Sequence, residues 1–145
     1  MAQFCSGSYI IKSTALSGQG NFIGRDNDGS LAPKKVFGLP YGVEAPIWDL
    51  LVLPSGRVQL KIGGASLSEQ DGRLWASLMN GDGEEWAITY REYHNAYTIQ
   101  RADATGWVSA PTFPCSQIKI QPLVYAPSDP PYFPASELWK FIRQV

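Results

Sequence analysis

The sequence predicts an all-β protein, a β-trefoil built from three pseudo-repeats of about four strands each. Three observations point there. Gly and Pro occur 14 and 11 times in 145 residues and 12% of residues are aromatic, a composition that suits short strands and turns better than long helices. Apolar and polar residues alternate in short runs, the period of a half-buried strand. A tryptophan sits in an alternating run three times, in PIWDLLVLP, EEWAITYRE and ELWKFIRQV.

Taken in order, the first unit covers about 8–54. It opens with SYIIKS at Ser8, continues through NFIGRD at Asn21 and KKVFGLP at Lys34, and closes on Trp48. The second, about 57–92, opens with RVQLKIGG at Arg57, continues through RLWASLM at Arg73, turns at NGDGEE and closes on Trp86. The third, about 96–145, runs from AYTIQRAD at Ala96 through GWVSAP at Gly106 and QIKIQPLV at Gln117 to Trp139. The openings near Tyr9, Val58 and Tyr97 are unequally spaced, as in diverged repeats with loops of different length. PASELWKF offers Ser136 as a helix cap, but the match of Trp139 to Trp48 and Trp86 favours a strand. Closing such units by strand pairing removes most of the exposed edges, and the three tryptophans are expected inside, near a pseudo-threefold axis. A sandwich would show about seven strands at more even spacing. Residues 1–145 are expected to form a single domain and a monomer.

Composition excludes several function classes. The net charge is −1 and no block of basic residues occurs, so neither nucleic acid nor an anionic membrane is an expected partner. MAQFCSGSYI lacks a basic segment leading into an apolar one, and no apolar run approaches the roughly 18 residues of a membrane span. The expected location is therefore cytoplasmic. Cys5 and Cys115 are expected to be unbonded, and with His94 they fall short of a metal-ligand cluster. His94, in REYHNAY, reads as a turn residue. The acid pairs Glu84–Glu85 and Asp26–Asp28 lie in turn contexts where carboxylates bond backbone N–H groups. IGGAS at Ile62 lacks the lysine and the glycine spacing of a phosphate loop. With no catalytic constellation, metal site or cofactor motif, the chain reads as a non-enzyme whose function lies in loops on a rigid scaffold.

Two binding functions fit that description. In a carbohydrate-binding trefoil, Trp75 and Trp107 would be stacking platforms. Their matching positions are equally what a shared core demands, the first unit has Phe22 there, and no Q-x-W repeat occurs, since Pro46, Glu84 and Glu137 stand two places before the closing tryptophans. In a protease inhibitor, the segment GRDNDGSLAPKK (residues 24–35) would be a rigid reactive loop, with apolar strands on both sides, Pro33 near its exit, and Asp and Asn to bond loop amides.

The order of GSYII, IGRD, SLAPKKVFGLP, PIWDL, TIQRAD, GWV and PSDPPYFPASELWKF resembles the mushroom serine protease inhibitors of the cospin type, inhibitor family I66, from about Gly7 to Val145. The resemblance implies a β-trefoil, no cofactor, no catalysis, a serine protease as partner and a role in fungal defence. It also implies that the loop between the second and third strands binds the protease, where the family pattern E-D-R-S-L supplies an arginine as P1, the side chain that enters the S1 pocket. The matching residues here are Asn27, Asp28, Gly29, Ser30 and Leu31. Gly29 stands at the arginine position, and a glycine cannot reach the carboxylate in a trypsin S1 pocket. Arg25 is expected at the strand end, away from the loop tip, and Lys34 and Lys35 in solvated positions. The segment GGASLSEQDG, expected as a loop, lacks the asparagine that related cysteine-protease inhibitors turn against legumain-like proteases.

Overall fold

A computed structural model describes residues 5–15, 22–26, 31–40, 42–79, 81–109 and 116–144. Its strands are β1 (Gly7–Ser13), β2 (Ile23–Arg25), β3 (Lys34–Gly38), β4 (Trp48–Val52), β5 (Val58–Ile62), β6 (Ala65–Gln70), β7 (Arg73–Ser77), β8 (Ala87–Arg91), β9 (Ala96–Gln100), β10 (Thr105–Val108), β11 (Lys119–Pro122) and β12 (Trp139–Arg143). Alternation decides their faces. Tyr9, Ile11 and Ser13 of β1 and Val58, Leu60 and Ile62 of β5 are buried, while Lys12, Gln59 and Lys61 between them lie nearer the surface. The only helical element among the described residues is a short 3-10 turn, Ala135–Glu137, so PASELW enters a strand as expected.

The sheet does not close as the expected β-trefoil. Neighbouring strands run β11–β10–β9–β12–β1–β4–β5–β6–β7, and β7 meets β11 again through Arg73 opposite Lys119, which makes a nine-stranded barrel. The hydrogen bonds from Leu74 N–H to the Ile118 carbonyl and from Ile120 N–H to the Gly72 carbonyl, 3.0 and 2.8 Å, seal that junction. A threefold arrangement needs equivalent contributions from the three units, and here they are unequal. The first unit places β1 and β4 in the ring and leaves the β2–β3 hairpin hanging from β7, through Lys34 opposite Ala76. The second places β5, β6 and β7 in it and leaves its last strand, β8, outside, paired with β9 along five residues, while Trp86 just before β8 bridges to Val58; the third places β9 to β12 in it.

The second unit differs from expectation because GGASLSEQDG is not a loop. Gly63 and Gly64 take positive φ values of 57° and 80°, and Asp71 and Gly72 take 54° and 73°. These are two tight two-residue turns, with Ile62 opposite Ala65 and Gln70 opposite Arg73. Such turns match the twist of antiparallel strands. They make ASLSEQ a ring strand, β6, between β5 and β7.

The barrel is filled by side chains. Trp48, Trp86, Trp107 and Trp139 are wholly buried, with Ile11, Ile23, Leu60, Leu67, Leu74, Ile99 and Ile118 around them. Trp107 is the hub, its ring centre 6.1, 5.8 and 5.7 Å from those of Trp48, Trp86 and Trp139. The indole N–H of Trp48 donates to the Ile23 carbonyl at 3.0 Å and that of Trp139 to the Trp107 carbonyl at 3.2 Å. A satellite cluster of Ala96, Phe133 and Leu138 seats the proline-rich segment that leads into β12.

Candidate functional site

Arg25 and Val36 pair at the end of the β2–β3 hairpin, and the Asp26 N–H donates to the Lys35 carbonyl at 3.2 Å. The expected protease-binding residues Asn27, Asp28, Gly29 and Ser30 lie outside the described residues. Leu31 is described and is strongly exposed, at 63%. The described part of this hairpin thus ends on a hydrogen-bonded base.

Arg25 lies at the strand end, as expected, and is engaged there. Its Nε donates to the Ile62 carbonyl at 3.2 Å and its Nη1 to the Asp26 carbonyl at 3.1 Å. The guanidinium covers Gly63 so closely that a Cβ there would come within 2.7 Å of Nη2. The base of the β2–β3 loop and the β5–β6 turn are therefore tied together. Lys35 is exposed as expected. Lys34 is not, since β3 turns it inward to 3% exposure.

The next turn on this end of the barrel joins β7 to β8. Leu78 lies against the β5–β6 turn, 3.7 Å from where a Gly64 side chain would begin. Beyond it Met79 is 72% exposed. No sequence signal had marked this turn as functional; an apolar pair directly before NGDG was the available one.

Elsewhere the titratable residues hold the backbone together. Glu84 accepts the Glu69 N–H at 2.6 Å through one oxygen and Arg101 Nε at 2.7 Å through the other. Glu69 in turn accepts the Gly72 N–H at 2.7 Å. The hydrogen bond to Glu84 raises the Arg101 pKa above its ordinary value, while hydrogen bonds from Thr105 lower that of Asp103. His94 is the expected turn residue, and its Nε2 accepts the Phe133 N–H at 3.0 Å, which holds the proline-rich segment. Glu137 is 2% exposed and accepts the Val124 N–H at 2.6 Å, and burial raises its pKa. Trp107, fully buried, cannot be a sugar platform; Trp75 is half-buried and donates to the Gln70 carbonyl at 3.2 Å. Cys5 is exposed with a free thiol, and Cys115 lies outside the described residues. Among the described residues no group of three or more His, Cys, Asp or Glu side chains could hold a metal, and no helix is long and apolar enough to cross a membrane.

Comparison with known proteins accounts for a scaffold whose exposed features are loops. The chain is 29% identical over 128 residues to a "Serine protease inhibitor" of Lentinula edodes, an alignment covering 85% of this chain and 89% of that one. Its structure matches that of a proteinase inhibitor from Coprinopsis cinerea with a TM-score of 0.85 and 29% identity, over 98% of this chain and 100% of the other. The profile of the family "Peptidase inhibitor I66" matches residues 2–143. The chain belongs to peptidase inhibitor family I66, and it is a protease inhibitor rather than an enzyme.

Proposed function

We propose that this chain inhibits serine proteases through Asn27–Leu31, and that its targets have a small S1 pocket rather than the acidic one of trypsin. The observation that carries the reading is the family match over residues 2–143 in a chain with Gly29 at the position of the family's arginine. The serine class is supported by the name of the Lentinula edodes relative. Trypsin selects a long cation because a carboxylate lies at the bottom of its S1 pocket, whereas a narrow pocket of the elastase kind takes small residues. Arg25 is no replacement, since it is held against Ile62 and Gly63. A defensive role against animals that feed on fungal tissue fits the two fungal relatives.

The test is inhibition constants against trypsin, chymotrypsin and elastase for the wild type and Gly29→Arg, with circular dichroism to confirm folding. The wild type should inhibit elastase more strongly than trypsin. Gly29→Arg should gain at least about 100-fold against trypsin, because the added guanidinium pairs with the S1 carboxylate. A folded variant with no gain would remove Asn27–Leu31 as the reactive segment. Binding on a glycan array without inhibition of any protease would replace the whole reading with carbohydrate binding.

A further inference from the structure

The β7–β8 turn is built like a second docking element. Its outgoing limb, Leu78 and Met79, carries two large apolar side chains at 45% and 72% exposure, and Met79 is the most exposed large apolar residue among those described. Solvent exposure of such a side chain is unfavourable unless a partner covers it. One exposed methionine alone would mean little, because single surface apolar residues are ordinary. What distinguishes this one is how firmly the chain on both sides of it is held.

On the outgoing side, Ser77 is 9% exposed and its hydroxyl accepts the Met79 N–H at 3.1 Å. Leu78 leans on the β5–β6 turn at Gly64. On the return side, Lys61 Nζ of β5 pairs with Asp82 Oδ1 at 3.3 Å at the surface. Gly83 then lies against β6 so closely that a Cβ would meet the Leu67 carbonyl oxygen at 2.6 Å. The Glu84 N–H donates to that same carbonyl at 2.9 Å. A turn held at both limbs loses little backbone freedom when its exposed side chain enters a pocket, which favours binding.

The turn also connects to the base of the β2–β3 hairpin: Arg25 bonds to Ile62 and covers Gly63, Gly64 meets Leu78, and Met79 follows.

We propose that Met79 is a second specificity-determining residue, which fills the deep apolar S1 pocket of a chymotrypsin-like serine protease. The inference rests on the proposed function and extends it. Asn27–Leu31 with Gly29 suits a narrow pocket, and Met79 suits a wide apolar one, so the chain has two reactive segments for two pocket shapes. An unbranched thioether adapts to such a slot more readily than a branched side chain.

The experiment measures inhibition constants of the full chain against chymotrypsin, elastase and trypsin for the wild type, Met79→Ala, Met79→Lys and Leu31→Ala. Thermal unfolding serves as the folding control, which a change at an exposed side chain should leave in place. Met79→Ala should lose about 30-fold against chymotrypsin, the scale for removing one fully buried methionine from an interface. It should leave elastase inhibition within about twofold, whereas Leu31→Ala should weaken elastase and spare chymotrypsin. Met79→Lys should transfer inhibition from chymotrypsin to trypsin. Unchanged chymotrypsin inhibition in Met79→Ala would overturn the inference, and so would a wild type that inhibits elastase but not chymotrypsin. Both results leave the proposed function standing. A wild type that inhibits none of the three proteases would overturn both.

Discussion

Replacing Trp107 tests whether the four tryptophans hold the barrel together as one unit. Its ring meets those of Trp48, Trp86 and Trp139 at centre distances of 6.1, 5.8 and 5.7 Å, the last two nearly perpendicular at 85° and 80°. Edge-to-face pairs add about 0.5–1.5 kcal/mol each beyond simple burial. Trp107→Ala therefore removes two edge-to-face contacts and one tilted ring contact together with a fully buried side chain. The usual range of about 3–5 kcal/mol for a large aromatic should be reached at its upper end. Against a typical domain stability of about 5–15 kcal/mol, the variant should retain little reserve. Trp107→Phe separates packing from polarity. The indole N–H of Trp107 has no hydrogen-bond partner among the described residues, and leaving a buried donor unpaired costs about 1–3 kcal/mol. Phenylalanine removes that donor while keeping a ring, so its penalty should be at most about half that of alanine. The assay is urea unfolding followed by far-ultraviolet circular dichroism, because fluorescence would change with the fluorophore itself. A cost below about 2 kcal/mol for Trp107→Ala would refute the hub. Equal penalties for the two variants would refute the polarity argument.

Gly83→Ala places a Cβ 2.6 Å from the Leu67 carbonyl oxygen at a φ of +72°, so it should lower stability by about 2 kcal/mol or more and loosen the Met79 turn; proteolytic nicking near Met79 alongside urea unfolding checks both. Glu137 has its pKa raised above 4.5 by burial, so the native state holds its proton more tightly than the unfolded chain, and the associated stability is present in acid and lost as pH rises through the raised value. Glu137→Gln should retain the bond to the Val124 N–H through its amide oxygen and flatten this decline, read as melting temperature against pH from about 4 to 8. A wild-type slope unchanged in the variant would show that Glu137 does not cause it.

Much of the fold was legible because its causes are local. Alternation in SYIIKS and RVQLKI marked β1 and β5, and the repeated tryptophans marked three residues that prove wholly buried. The ring itself was not legible. Four of the six residues of ASLSEQ are polar, and its boundaries depend on Gly63–Gly64 and Asp71–Gly72 adopting hairpin turns, a signal present in the letters and read as a loop. Closure between β7 and β11 depends on a pairing of Arg73 with Lys119 that no local pattern encodes. The candidate site divided in the same way. Arg25 could be placed at a strand end from its neighbours, but its engagement with Ile62 joins residues from different units. Lys34 is buried because β3 sets its inward face on the lysine, a register that depends on the partner strand.

The pairing of β1 with β12, from Tyr9 opposite Arg143 to Ser13 opposite Trp139, sets the timing of the protein's maturation. β1 thus has a partner far downstream in the sequence, and β12 also joins β9. A nascent chain emerging from the ribosome can form hairpins such as β6–β7, yet it cannot complete the barrel until β12 has emerged. Products interrupted before β12 therefore leave β1 with one unpaired edge, the one that β12 covers in the finished barrel.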